Sequence, residues 1–125
     1  MKKETKFYIC RHCGNIVTLV HESGAPLSCC GEQMIELKAN TSDGATEKHI
    51  PVVDVGVGKI TVTVGSVVHP MLEEHYIQWI ALETADRVEF QYLKPGEEPK
   101  AEFVNVASGT IYEYCNLHGL WKTEF

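Results

Sequence analysis

Apolar and threonine residues alternate with a period of two along Lys59, Ile60, Thr61, Val62, Thr63 and Val64, the pattern of a half-buried strand. Further runs rich in β-branched and aromatic residues span 50–57, 76–84, 88–93, 101–106 and 110–115. Turn-forming residues separate them, and both Gly56-Val57-Gly58 and the segment Lys94-Pro95-Gly96-Glu97-Glu98-Pro99 are expected at hairpin reversals. No capped run with a 3.6-residue apolar period is present, so no helix is expected. Six or seven short strands at this spacing predict a mainly β fold, an antiparallel sandwich of immunoglobulin type. The Cys…Trp…Cys pattern of antibody domains is absent.

The first 37 residues do not share this pattern. They carry four basic groups (Lys2, Lys3, Lys6, Arg11) and four acidic ones (Glu4, Glu22, Glu32, Glu36), whereas residues 38–125 carry seven basic and thirteen acidic groups. The formal net charge of −6 therefore belongs to the second segment. Small polar residues from Ala39 to Thr46 have the composition of a connection. Two domains are expected, 1–37 and 38–125. A segment of under about 40 residues rarely builds a sufficient core without a metal, disulfides or a partner. The acidic balance, with no basic cluster, argues against nucleic acid as a partner. No stretch approaches 18 uninterrupted apolar residues, and the opening residues lead into no signal-like apolar stretch, so the expectation is a soluble cytoplasmic protein away from membranes.

Five cysteines are an odd number, and a reducing cytosol keeps thiols free, so metal ligation is the better reading than a disulfide framework. Cys10 and Cys13 form a C-x2-C pair followed by Gly14, and Cys29 stands directly beside Cys30. Four thiolates make a tetrahedral all-sulfur site, for which zinc and iron are equally open on spacing alone. The adjacent pair must splay its side chains; a disulfide between those two would orphan the other pair. His12 and His21 are not needed by such a site.

The fifth cysteine lies in Cys115-Asn116-Leu117-His118-Gly119, where a thiol and an imidazole three residues apart can share one metal. His49, His69 and His75 occupy the same segment at expected strand ends or loops. Four imidazoles and one thiolate make a five-coordinate set with a position left open, unlike the closed tetrahedron of structural zinc. Iron suits such a set because it cycles between two oxidation states and accepts imidazole. A thiolate ligand donates electron density toward the opposite position, as it does in thiolate-ligated haem.

Taken together, these motifs resemble the desulfoferrodoxin family, the two-iron class of superoxide reductase. The likeness covers essentially the whole chain. Cys10, Cys13, Cys29 and Cys30 match the rubredoxin/desulforedoxin-like domain. Glu47-Lys48-His49-Ile50-Pro51-Val52, His69-Pro70-Met71, His75-Tyr76-Ile77-Gln78-Trp79 and Tyr114 through Gly119 match the catalytic domain. The resemblance implies two irons per chain. One is an Fe(Cys)4 centre on Cys10, Cys13, Cys29 and Cys30; the other is an Fe(His)4(Cys) centre with His49, His69, His75 and His118 equatorial and Cys115 axial. It also implies one-electron reduction of superoxide to hydrogen peroxide, rubredoxin as electron donor, and a homodimer.

Superoxide is an anion, yet the catalytic segment is acidic, so a local positive field must prevail. Lys48, beside His49, is expected to guide superoxide and to deliver a proton. Glu47 is implied as a ligand to the ferric iron once product has left. Trp79, Tyr76 and Tyr114 are read as core or interface residues rather than an electron path. Two other readings stay open: an electron-transfer iron protein without physiological superoxide reduction, and a zinc-stapled binding module.

Overall fold

A computed structural model describes residues 4–42, 44 and 46–125, without the side chain of Glu47. The expectation for the Glu47 carboxylate therefore lies outside the described residues, as does the connection expected at Asp43 and Ala45. The chain divides into two compact units, Met1–Lys38 and Ala39–Phe125.

In the first unit β1 (Phe7–Ile9) lies between β2 (Ile16–Thr18) and, later in the chain, β5 (Ile35–Leu37), all antiparallel. Between β2 and β5 a minimal hairpin joins β3 (Ser28–Cys29) to β4 (Glu32–Gln33). Its apolar interior is small: Phe7, Cys10 and Met34 are its buried hydrophobic residues among those described. Cys10 follows β1 directly, and the turn after it is closed by the Gly14 N–H donating to the Cys10 carbonyl at 2.9 Å, with Gly14 at φ +83°.

The second unit begins with a single helical turn, α1 (Thr46–His49), which the sequence pattern did not announce because four residues are too few to display a period. Seven strands follow: β6 (Pro51–Val55), β7 (Lys59–Val64), β8 (Ile77–Glu83), β9 (Val88–Tyr92), β10 (Lys100–Val104), β11 (Thr110–Cys115) and β12 (Gly119–Glu124). They form two sheets, ordered β10-β7-β6 and β12-β11-β8-β9. Inward residues of both meet in one core: Ile60, Val62, Val64, Ala101 and Phe103 from the first, Ile77, Ile80, Leu82, Ile111 and Cys115 from the second. The alternation expected of β7 is observed, with Ile60, Val62 and Val64 fully buried and Lys59 and Thr63 exposed.

Gly56-Val57-Gly58 does make a hairpin, between β6 and β7. The Lys94–Pro99 segment does not. It carries the chain from β9 in one sheet to β10 in the other, so the same turn-rich composition serves a crossover. Register sets the location of the site. Pro51 at the start of β6 pairs with Val64 at the end of β7, and Ile77 at the start of β8 pairs with Cys115 at the end of β11, where Gly119 opens β12. All these termini gather the connections that carry His49, His69, His75, Cys115 and His118. Between the pairs Tyr114–Trp79 and Cys115–Ile77 the register shifts, leaving Gln78 as the extra residue of a bulge. Bulges of this kind re-aim side chains, and here Ile77 joins Ile80 and Leu82 in the core despite the odd spacing.

Candidate metal centres

The sulfurs of Cys10, Cys13, Cys29 and Cys30 all lie within 4.8 Å of one another. Cys13 and Cys29 Sγ are 3.6 Å apart, and Cys29 and Cys30 Sγ 3.9 Å. A tetrahedron with metal–sulfur bonds of ~2.3 Å has edges of ~3.8 Å, so the spacing fits a four-thiolate ion, and all five cysteines are free thiols. The awkward adjacency is resolved by the backbone. Cys30 and Gly31 are the two central residues of the β3–β4 turn, at φ +53° and +76°, the left-handed pair that a two-residue hairpin uses. Glycine adopts this readily; for Cys30 it costs about 1–2 kcal/mol, set against a ligand bond. Hydrogen bonds pull the Cys10 thiol down to about 6, those from the Cys13 and His12 backbone among them, whereas Cys13, Cys10 and Cys29 push Cys30 up to about 12. A cation removes that conflict by holding all four as thiolates. His12 is exposed and bonds Glu32 at 2.5 Å, joining the two ligand loops from outside; His21 is an exposed loop residue.

In the second unit, ligand atoms of His49, His69, His75 and Cys115 lie within 4.8 Å of one another. His118 stands beside that group: its Nδ1 is 3.2 Å from His49 Nε2 and 3.9 Å from Cys115 Sγ. The four imidazoles close a ring. Centroids are 4.6 Å apart for His49–His69, 4.8 Å for His69–His75, 5.0 Å for His75–His118 and 4.8 Å for His118–His49, and each pair is nearly perpendicular.

Several features mark this as a metal site and not an ordinary histidine cluster. His49 and His69 Nε2 are 3.0 Å apart, the spacing of neighbouring nitrogens at right angles about an ion with bonds of ~2.1 Å. His69 Nδ1 lies 2.7 Å from the Pro70 carbonyl, which can only accept, so Nδ1 carries the proton and Nε2 presents its lone pair. Among the described residues, the buried His75 Nε2 has no hydrogen-bond partner. Burial drives the His69 pKa down to about 4 and lowers that of His75, which favours the neutral form of each; the like-charge influence of His118 and then of Lys48 adds to the latter. Burial, with Glu113 adding to it, raises the Cys115 thiol against the lowering effect of the Leu117 and His118 backbone, so its thiolate calls for a cation.

His49 and His118 are held from behind. Trp121 stacks on His49 at 4.9 Å and 20°, and its indole N–H donates to the His118 carbonyl at 3.0 Å. The Ser42 hydroxyl donates to the same carbonyl. A side chain at Gly44 would meet His118, His49 and Trp121. Lys48 is exposed, on the turn that ends at His49. Trp79 and Tyr114 are buried and stacked on each other at 5.9 Å, as core residues.

Sequence reasoning missed Trp121, Gly44 and Glu113. The last is fully buried two residues before Cys115, with neither carboxylate oxygen bonded among the described residues, and burial pushes its pKa well above the usual carboxylate range. Its one sequence signal is an acid amid the otherwise apolar end of β11.

Comparison with known proteins agrees with both clusters. A family model described as Desulfoferrodoxin matches residues 41–124, and another, Desulfoferrodoxin, N-terminal domain, matches residues 2–37. The desulfoferrodoxin of Nitratidesulfovibrio vulgaris is 52% identical, covering 99% of each chain. That of Clostridium acetobutylicum is 45% identical, again over 99% of each. The crystal structure of the superoxide reductase from Treponema pallidum superposes with a TM-score of 0.78 at 35% identity, covering 97% of this chain and 99% of that one.

Proposed function

The chain belongs to the desulfoferrodoxin family, and from that premise we propose that it is a superoxide reductase whose reaction takes place at the cluster of His49, His69, His75, His118 and Cys115. Superoxide, one electron and two protons give hydrogen peroxide, and no dioxygen is released. The observation that carries this reading is the closed ring of four imidazoles beside a buried cysteine. An iron held by these five residues would supply the electron by cycling between ferrous and ferric states.

Five donors would leave such an ion short of an octahedral set, with room for substrate. The Cys115 thiolate enriches the centre in electron density and so favours transfer to superoxide. Lys48 supplies the positive charge that the acidic segment lacks: its ammonium draws the anion in and, through water, gives up one of the two protons from Nζ. Its exposed position on the turn that ends at His49 supports that role. Glu47 would close the coordination after product departs, a hard carboxylate for a hard ferric ion.

Residues 1–37 form the four-thiolate domain and residues 38–125 the catalytic one, in keeping with the partition of charge. The electron donor is a rubredoxin-type one-electron carrier and the assembly a homodimer, both on the strength of family likeness. Five free thiols suit a reducing cytoplasm. Among the described residues no helix is long and apolar enough to cross a membrane.

Replacing the thiolate tests the assignment. Cys115→Ser is expected to abolish the thiolate-to-iron absorption and the reduction of superoxide while the four-thiolate centre keeps its own spectrum. Retention of both properties would refute it.

A further inference from the structure

Asn116 lies between two donors, Cys115 and His118, and reaches back to the segment that carries a third. Its backbone N–H donates to the Tyr76 carbonyl at 3.2 Å. Its side-chain Oδ1 accepts from the Tyr76 N–H at 2.9 Å, and its Nδ2 donates to the Glu74 carbonyl at 3.1 Å. Glu74 and Tyr76 flank His75, so one carboxamide brackets that residue from both sides. The backbone of His75 is spoken for elsewhere: its N–H and C=O each exchange a 3.0 Å hydrogen bond with Leu72, in the loop that starts at His69.

This arrangement demands both halves of the carboxamide. One short planar group offers an acceptor to Tyr76 and a donor to Glu74. Aspartate would set an oxygen against the Glu74 carbonyl, and serine is too short to serve both partners. Among the described residues the His75 imidazole has no hydrogen-bond partner at the buried Nε2, so its placement depends on the backbone being held.

We propose that Asn116 is a positioning residue for His75, tying the fourth corner of the imidazole ring to the Cys115–His118 turn and so setting how tightly the centre holds its metal. The proposal rests on reading the four imidazoles and Cys115 as one ligand set. Residues that hydrogen-bond behind metal ligands typically change metal affinity by roughly 10- to 100-fold when removed.

The test is chelator titration of full-length, iron-loaded protein, following the thiolate-to-iron absorption of the histidine centre with the four-thiolate spectrum as internal reference. Asn105 is the control, because its side chain donates to the Gly56 carbonyl at 3.2 Å in the β6–β7 hairpin, away from the β6 terminus that adjoins the site. For Asn116→Ala, half-loss of the histidine-site iron is expected at a roughly 10- to 100-fold lower chelator concentration, with an altered ferric electron paramagnetic resonance line shape. Asn105→Ala should stay within about twofold of the parent, and His75→Ala should be at least as weak as Asn116→Ala. If Asn116→Ala matches the parent while His75→Ala is weak, the role of Asn116 is overturned and the ligand set stands. Equal losses in Asn116→Ala and Asn105→Ala also overturn it, since general loosening then explains both. A His75→Ala protein that holds iron like the parent removes the ligand set and this proposal together. Should Asn116→Ala not fold, Asn116→Ser, which keeps the backbone bond and removes the carboxamide, enters the same comparison with the same outcomes.

Discussion

Gly44 shows how little free space surrounds the imidazoles. A Cβ there would lie 3.1 Å from His118 Cβ, His49 Cε1 and Trp121 Cζ2 at once, so Gly44→Ala must displace at least one of them. The expected outcome is lower iron content at the histidine centre with the four-thiolate centre fully loaded; two irons per chain and a parental spectrum would contradict it. Lys48 also acts as a single residue. Within a Debye length of about 8–10 Å a single exposed ammonium can outweigh dispersed acids. Lys48→Ala should therefore slow the second-order reaction with superoxide by roughly tenfold or more at low salt, and flatten its dependence on ionic strength. Unchanged rate and salt slope would remove the guiding role. The donors themselves could be read from sequence because cysteine and histidine carry their chemistry with them. Asn116, Trp121 and Gly44 could not, because their effect runs through contacts that the fold makes, above all with residues distant in sequence: Tyr76 for Asn116, His49 for Trp121, and His118 and Trp121 for Gly44.

Element boundaries follow the same division. Strands with strict alternation, such as β7, were legible; β12 was not, since Gly119–Glu124 mixes glycine, aromatic and charged residues and its partner β11 supplies the pattern it lacks. Turn-rich segments declare a reversal of direction without declaring which sheet follows, so the composition of Lys94–Pro99 predicts a hairpin where the chain crosses between sheets. At Cys29-Cys30 the sequence announced an oddity whose solution lies in φ: a left-handed cysteine in a two-residue turn. The small first unit should depend on its ion. With Phe7, Cys10 and Met34 its only buried hydrophobic residues among those described, binding energy there is folding energy. Chelation of both metals is expected to open Met1–Lys38 to protease while the sandwich, with its two-sheet core, stays intact as a fragment. Protection of the first unit after complete metal removal would contradict this.

Across the whole molecule the chemistry is divided between a closed all-sulfur set and an open nitrogen–sulfur set, and the acidity is divided as well. The unit that meets an anion carries thirteen acidic and seven basic residues counted from residue 38, so affinity for superoxide is a local property of the site and not of net charge. The open set performs reduction, not dismutation. Stoichiometry separates the two: reduction yields one hydrogen peroxide per superoxide and no dioxygen, whereas dismutation yields one hydrogen peroxide and one dioxygen per pair. The decisive measurement is pulse radiolysis of the fully reduced protein under limiting superoxide, with peroxide and dioxygen counted. The expected result is one peroxide formed and one histidine-site iron oxidised for each superoxide consumed, with no dioxygen. Dioxygen evolution with half the peroxide, or a histidine-site spectrum that does not change, would contradict the account.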